Sequence, residues 1–280
     1  MLLLGSGAED FRRSNKMMNE NAGLGSMSDN ASPYAAARII RSLDECYFYH
    51  TMDVPGHGTV PGEWDLRGRI DDYLGNFDFA GRRVLDVGAA SGILSFHIEQ
   101  KGADVVSFDL SEDYDWDIVP FAENDHDKTR VERRRHLRRI NNGYWLCHQA
   151  FQSRAKMVNG VVYDIPQSIG PVDVAVYGSI LLHLRDPFLA LQNGARLARE
   201  AVIVSDLSPY GKLASRFRKT PRFMPRSLAP EGINDGWFRL PPLLVQEYLG
   251  ILGFKNSTLT WNTFQYGDRT RPIYTIIARR

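Results

Sequence analysis

From residue 83 onward, short apolar runs alternate with longer stretches whose apolar positions recur every three or four residues. Strands are predicted at 83–87, 105–110, 157–163, 172–178 and 201–207, and two more at 257–262 and 273–278. Helices are predicted at 92–102, over a long zone ending near 155, at 187–199 and at 240–253. In the long zone, Leu137, Ile140, Tyr144, Cys147 and Phe151 form a core-facing helical stripe, which leaves most of its arginines outward. Strands alternating with helices predict an α/β fold with a parallel sheet. The two closing strands make it a seven-stranded sheet, mostly parallel, with helices on both faces and an antiparallel C-terminal hairpin.

Before residue 83 the pattern changes. Residues 5–31 are rich in Gly, Ser, Asn and Met without periodicity, which predicts a disordered leader over 1–31. Ser32-Pro33 resembles a helix cap followed by a first-turn proline. Helical spacing follows over 34–50, and then a loop or lid rich in glycine and proline at 54–68. The expected organisation is a helical and lid segment at 32–82, then a domain at 83–280. An insertion at about 209–239 follows the fifth strand.

Composition narrows the partners little. The chain has 280 residues, 43% of them hydrophobic and 24% charged, enough for one ordinary globular domain with an appendage. Its net charge of +1 points to no class of partner. Cys46 and Cys147 stand far apart without histidines at ligand spacing, so neither a disulfide framework nor a metal site is expected. The opening "MLLLGSGAEDFRR" has three leucines, too short a run for a signal-peptide core, and its basic residues come after it. No apolar stretch reaches the ~20 residues that span a bilayer. A soluble, cytoplasmic chain is expected; its oligomeric state is not legible.

The chemistry concentrates in "VLDVGAASGILSFHIEQKGADVVSFDL", residues 84–110. Ligands of open α/β sheets bind beyond the carboxyl ends of the strands. Gly88 and Gly92 stand at the first such end, where the chain must turn tightly. Asp109 closes the second strand, 23 residues after Asp86, where a carboxylate can accept both hydroxyls of a ribose. The dinucleotide pattern G-x-G-x-x-G fails here, because the run reads Gly88, Ala89, Ala90, Ser91, Gly92. Asp86 would repel a diphosphate but could hold a cation. A cationic, ribose-bearing ligand without phosphate suggests S-adenosylmethionine.

"VLDVGAASG" resembles the first motif of class I S-adenosylmethionine-dependent methyltransferases, with Ala90 in place of its middle glycine. The resemblance implies a Rossmann-like fold and S-adenosyl-L-methionine as cofactor. It implies that Asp109, with Leu110, holds the ribose. In "VYDIP" it implies that Asp164, with Ile165, meets the adenine. Residues 62–70, 79–83 and 178–191 resemble the subgroup containing the tRNA wobble-uridine 5-oxyacetate carboxymethyltransferases. Trp64, Arg67, Gly178, His183, Arg185 and Pro187 match its positions. Those tRNA enzymes hold a carboxylated donor with a lysine upstream of the tryptophan. The comparable stretch here, "YFYHTM", has none, so ordinary S-adenosylmethionine is expected.

A base is needed only if the acceptor must lose a proton. His183 and, more weakly, His50 are the candidates, each with a packed structural histidine as the alternative. Trp64 could stack on adenine or pack in the core. Tyr49, Arg67, Arg185, Phe223 and Trp237 are candidate acceptor contacts, although both arginines could equally pair with aspartates. The 209–239 insertion carries six Lys/Arg before its first acid, interleaved with Tyr210, Phe217, Phe223 and Trp237. Such a surface can cover a small substrate or bind nucleic acid. The run "KTRVERRRHLRR" at 128–139 is either part of a basic footprint or a solvated helix face balanced by the acids at 112–127. The expected function is methylation of a small molecule such as a natural product, glycan or lipid precursor. A tRNA-modifying methyltransferase and a non-catalytic S-adenosylmethionine- or RNA-binding module are the alternatives.

Overall fold

The computed structural model describes residues 32–118, 125–224 and 236–280. The expected leader therefore lies outside the described residues, as does 225–235 of the insertion. In chain order the elements are β1 (Met52–Val54), β2 (Gly58–Val60), β3 (Trp64–Asp65), α1 (Ile70–Tyr73) and β4 (Arg83–Val87). They continue as α2 (Ile93–Gln100), β5 (Asp104–Asp109), α3 (His126–Ala150), β6 (Lys156–Asn159), β7 (Val172–Gly178) and α4 (Pro187–Ala195). The last are β8 (Ala198–Asp206), β9 (Arg222–Phe223), β10 (Phe238–Arg239), α5 (Pro242–Ile251), β11 (Asn256–Tyr266) and β12 (Arg269–Arg279).

The main sheet runs β3-β11-β12-β8-β7-β4-β5-β6. The five strands β6, β5, β4, β7 and β8 are parallel, and β12 is antiparallel to both β8 and β11. All seven predicted strands are present. The eighth is the two-residue edge strand β3, too short to show a period. The closing hairpin lies at the predicted edge, with its last strand inserted between β8 and β11. The order reverses at β4, which places a crevice beyond the carboxyl ends of β4 and β7. The fold is Rossmann-like.

Nearly every residue of β4, β7 and β8 is buried, as strands covered on both faces must be. Val84, Val105, Val174 and Ile203 face one core, beneath Leu94 and Phe96 of α2 and Tyr144 and Cys147 of α3. Leu85, Val106, Ala175 and Val202 face the other, beneath Leu191 of α4 and Val245 and Leu249 of α5. Asp125 caps α3 by accepting from the Lys128 amide at 3.0 Å, and Asp186 caps α4 ahead of Pro187. No described helix is long and apolar enough to cross a membrane.

Two predicted elements are corrected. The segment 34–50 is not helical; it runs extended, apart from one 3-10 turn at Leu43–Glu45. Cys46 and Phe48 bury alternate positions, and after the 3-10 turn the backbone bonds other elements. Tyr47 donates to the Arg139 carbonyl at 2.9 Å, and Asn142 to the Glu45 carbonyl at 3.0 Å. The predicted strand 157–163 ends at Asn159 and gives way to a 3-10 turn, Val162–Asp164.

Candidate functional site

The turn from β4 to α2 takes left-handed backbone at every second residue: Gly88 (φ 82°), Ala90 (φ 49°) and Gly92 (φ 87°). A Cβ on Gly88 would lie 2.6 Å from the Ile180 side chain, and one on Gly92 2.3 Å from the Phe96 ring. Both glycines are thus required by dihedral and by space. Ala90 pays the left-handed penalty that its glycine counterpart would avoid. Ala90→Gly should therefore raise the unfolding free energy by about 0.5 kcal/mol, the strain relieved less the entropy of the freer unfolded chain. Denaturant unfolding of the two proteins checks this, and an equal loss of stability would contradict it.

The turn folds around Asp109, at the end of β5. The Ala90 amide donates to Asp109 Oδ2 at 2.5 Å and the Leu110 amide to Oδ1 at 2.7 Å. Burial raises this carboxyl to about 6, against those two bonds. Asp86 lies below the turn with no exposed surface. Ser95 donates to its Oδ2 at 2.6 Å, the Ser95 and Ser107 hydroxyls are 2.7 Å apart, and Ser107 lies 2.9 Å from the Tyr144 hydroxyl. Asp86 Oδ1 is buried with no partner among the described residues. Burial, and then the charge of Asp109, raise Asp86 to about 7. The two carboxylates thus create a local demand for a cation. Ser95 and Ser107 escaped the sequence reading, which placed Tyr144 only as a core-facing helix position; the one available signal was a serine on the buried face of a short apolar helix.

The sequence-predicted residues Asp86, Gly88, Gly92, Asp109 and Leu110 thus gather at one turn. Others fall differently. Asp164 is exposed on the turn after β6, whereas Ile165 is fully buried among core side chains and presents no surface. Gly178 ends β7, where an added Cβ would lie 2.6 Å from Leu94. Ser179 follows in left-handed backbone (φ 53°), its hydroxyl 2.9 Å from that of Tyr73. His183 closes the next 3-10 turn, exposed, rather than packed against the sheet. Asp206 ends β8 almost wholly buried; it accepts from the Leu207 amide at 2.6 Å, and its Oδ2 has no partner among the described residues. Burial raises it to about 7. A lone aspartate at a strand end carried no motif to mark it.

The extended 42–50 segment crosses the same end of the sheet, where Ser91 of the turn donates to the Tyr47 carbonyl at 3.2 Å. Beyond it, Trp64 donates to the Tyr49 carbonyl at 2.9 Å and Thr51 to the Trp64 carbonyl at 2.7 Å. The Trp64 ring leans on Tyr266, with centroids 4.7 Å apart, and Tyr49 meets Tyr47 edge-on at 5.4 Å. His50 Nδ1 is buried without a partner among the described residues. Burial lowers His50 to about 4, which leaves it neutral and a weak base at pH 7.

Three candidate acceptor contacts are engaged elsewhere. Arg67 is bound at the surface by Asp65 and Asp53, each at 2.8 Å. Arg185 is held by Asp117 through its amide at 2.7 Å and its guanidinium. Trp237 is 5% exposed; its indole N–H donates to the Asp117 carbonyl at 2.9 Å and its amide to Leu182 at 2.7 Å. These arginines are neutralised by carboxylates and the tryptophan is an anchor, so none of the three presents a free group to an acceptor. Phe223, in contrast, is 61% exposed. On α3, Arg130 and Arg134 both pair with Asp115, at 3.2 Å and 3.1 Å, in line with the balanced-face reading.

No protein-family model and no curated protein matches the chain. Some solved structures resemble the chain in part. A magnesium protoporphyrin IX methyltransferase from Synechocystis PCC 6803, with S-adenosylhomocysteine bound, is 15% identical over 75% of this chain and 79% of its own, with a TM-score of 0.49. The 1,6-didemethyltoxoflavin N1-methyltransferase of Burkholderia thailandensis, with 1,6-didemethyltoxoflavin and S-adenosylhomocysteine bound, is 13% identical over 100% of this chain and 92% of its own, with a TM-score of 0.46.

Proposed function

We propose that this protein is an S-adenosylmethionine-dependent methyltransferase acting on a small-molecule acceptor. The observation that carries the reading is the pair of carboxylates, Asp86 and Asp109, at the ends of adjacent parallel strands on either side of a left-handed turn. A diphosphate would be repelled there, whereas a nucleoside bearing positive charge would relieve two raised carboxyls. Asp86 Oδ1, buried without a partner among the described residues, suits a cationic group above the turn through one bridging water. Asp109 uses one bond from each oxygen to hold the turn and keeps acceptor capacity for ribose hydroxyls. Asp164 stands exposed after the next strand, where an adenine amino group could reach it.

S-adenosylmethionine supplies a methyl group already activated on a sulfonium. The protein's task is then to position the acceptor and exclude water. His183, exposed after β7, takes the acceptor's proton or orients it. In this organisation 83–280 is the catalytic domain, 32–82 covers the cofactor side, and the described parts of the insertion, 209–224 and 236–239, form the acceptor side. The alternative tRNA acceptor is less favoured because Asp115 neutralises part of the α3 arginine face.

Methyl-labelled S-adenosylmethionine, incubated with the protein and small-molecule or tRNA fractions from cells lacking it, tests the proposal. Label is expected in the small-molecule fraction. Label confined to tRNA would replace the acceptor class, and none in either would support the non-catalytic module. With the labelled acceptor in hand, His183→Ala should lower turnover by about 10²–10⁴-fold if His183 is the base, with donor affinity unchanged. Unchanged turnover would remove His183 from the mechanism.

A further inference from the structure

Among the described residues, the acceptor side brings two arginines together. Arg222 of β9 and Arg239 of β10 are direct cross-strand partners, and like charges so placed repel. The fold nonetheless holds them there. Trp237, next to β10, is bonded to Leu182 at 2.7 Å, and Met224, next to β9, donates to the Trp237 carbonyl at 2.9 Å. Arg239 therefore sits beside the turn that bears His183. It is half-buried, and its Nε is shielded with no partner among the described residues. Burial, and then the charges of Arg222 and of Arg271 on β12, weaken its hold on its proton, while Asp206 acts in the opposite sense. The β9–β10 ladder thus sets two guanidinium groups side by side.

A guanidinium that is partly desolvated and faces a like charge across a strand pair is stabilised by an anion. Its planar fork matches a carboxylate or a phosphate. Next to Arg222, the exposed Phe223 ring lies 5.4 Å from the Phe238 ring and offers an apolar surface. We propose that Arg239 and Arg222 bind an oxyanion of the acceptor, a carboxylate or phosphate, with Phe223 covering the adjoining apolar part of the molecule. This rests on the methyltransferase reading for its site and adds the acceptor's charge class. It also accounts for the shielded Arg239 Nε, which has no partner among the described residues.

Benzoate and inorganic phosphate are suitable probes, titrated into the full-length protein by calorimetry or NMR at low ionic strength. At least one should bind saturably, and the stronger of the two identifies the oxyanion. Arg239→Gln should weaken that binding about tenfold or more, the equivalent of one charge-assisted hydrogen bond. Arg222→Gln, on the exposed strand, should weaken it less, and Asp206→Asn should strengthen it by removing the opposing charge. Thermal unfolding of each variant separates lost binding from lost folding. Failure of both probes to bind the wild-type protein, or equal binding by a folded Arg239→Gln variant, would overturn the proposal. S-adenosylhomocysteine titrated into the same proteins keeps the two readings apart. Its binding should survive Arg239→Gln, and its failure to bind even the wild type would count against the methyltransferase reading itself.

Discussion

Asp109→Ala should weaken S-adenosylmethionine binding by about 2–4 kcal/mol, roughly a 30- to 1,000-fold loss of affinity. Two effects add. The side chain supplies the acceptors expected for the ribose hydroxyls, and it also holds the Ala90 and Leu110 amides that shape the turn. Removing it leaves both sets of donors without their partner. Asp109→Asn keeps one side-chain oxygen and should lose less. Calorimetric titration of the three proteins checks the order wild type, asparagine, alanine. An alanine variant that binds as tightly as the wild type would remove Asp109 from the site.

The ligand-free protein should lose stability as pH rises from 6 to 7.5. Asp86 and Asp206 are raised to about 7 and Asp109 to about 6, each chiefly by burial. Their unfolded values lie near 4. Below about pH 4 both states are protonated and these groups make no difference. Above it the unfolded chain releases protons that the folded chain still holds, so the folded state loses ground until pH passes the folded values. His50, lowered to about 4 by burial, acts in the opposite sense, favouring the folded state as pH rises from its own folded value toward the unfolded value near 6.5. The net loss between pH 6 and 7.5 should be about 2 kcal/mol. Denaturant unfolding at the two pH values measures it. Saturating S-adenosylmethionine should flatten the dependence, because a cation beside Asp86 and Asp109 favours their charged forms. Stability that is level or rises over this interval without ligand would contradict the buried carboxylates.

The fold was largely legible because the parallel strands are buried on both faces and read as short apolar runs. The 84–110 run was legible for a local reason: its glycines answer to backbone dihedrals and close contacts, and its aspartates end strands. Misreadings came where tertiary contacts outweigh local pattern. Residues 34–50 have helical spacing, yet Arg139 and Asn142 of α3 bond that backbone in an extended form. For Arg67 and Arg185 the sequence left pairing with aspartates open: Asp65 stands two residues from Arg67, but Asp53 and Asp117 lie 14 and 68 residues from the arginines they hold. Trp237 looked like a substrate platform, but its indole N–H meets a carbonyl 120 residues distant. The Arg222–Arg239 pairing depends on a two-residue ladder across the insertion, which no periodicity marks.

The central claim is that the turn between Asp86 and Asp109 holds a cationic nucleoside rather than a dinucleotide. Side-by-side calorimetric titration of the full-length protein with S-adenosylmethionine and with NAD tests it most directly. Saturable one-to-one binding of S-adenosylmethionine, lost in Asp109→Ala, with no heat from NAD, is the expected result. Binding of NAD in preference, or of neither ligand, would contradict it.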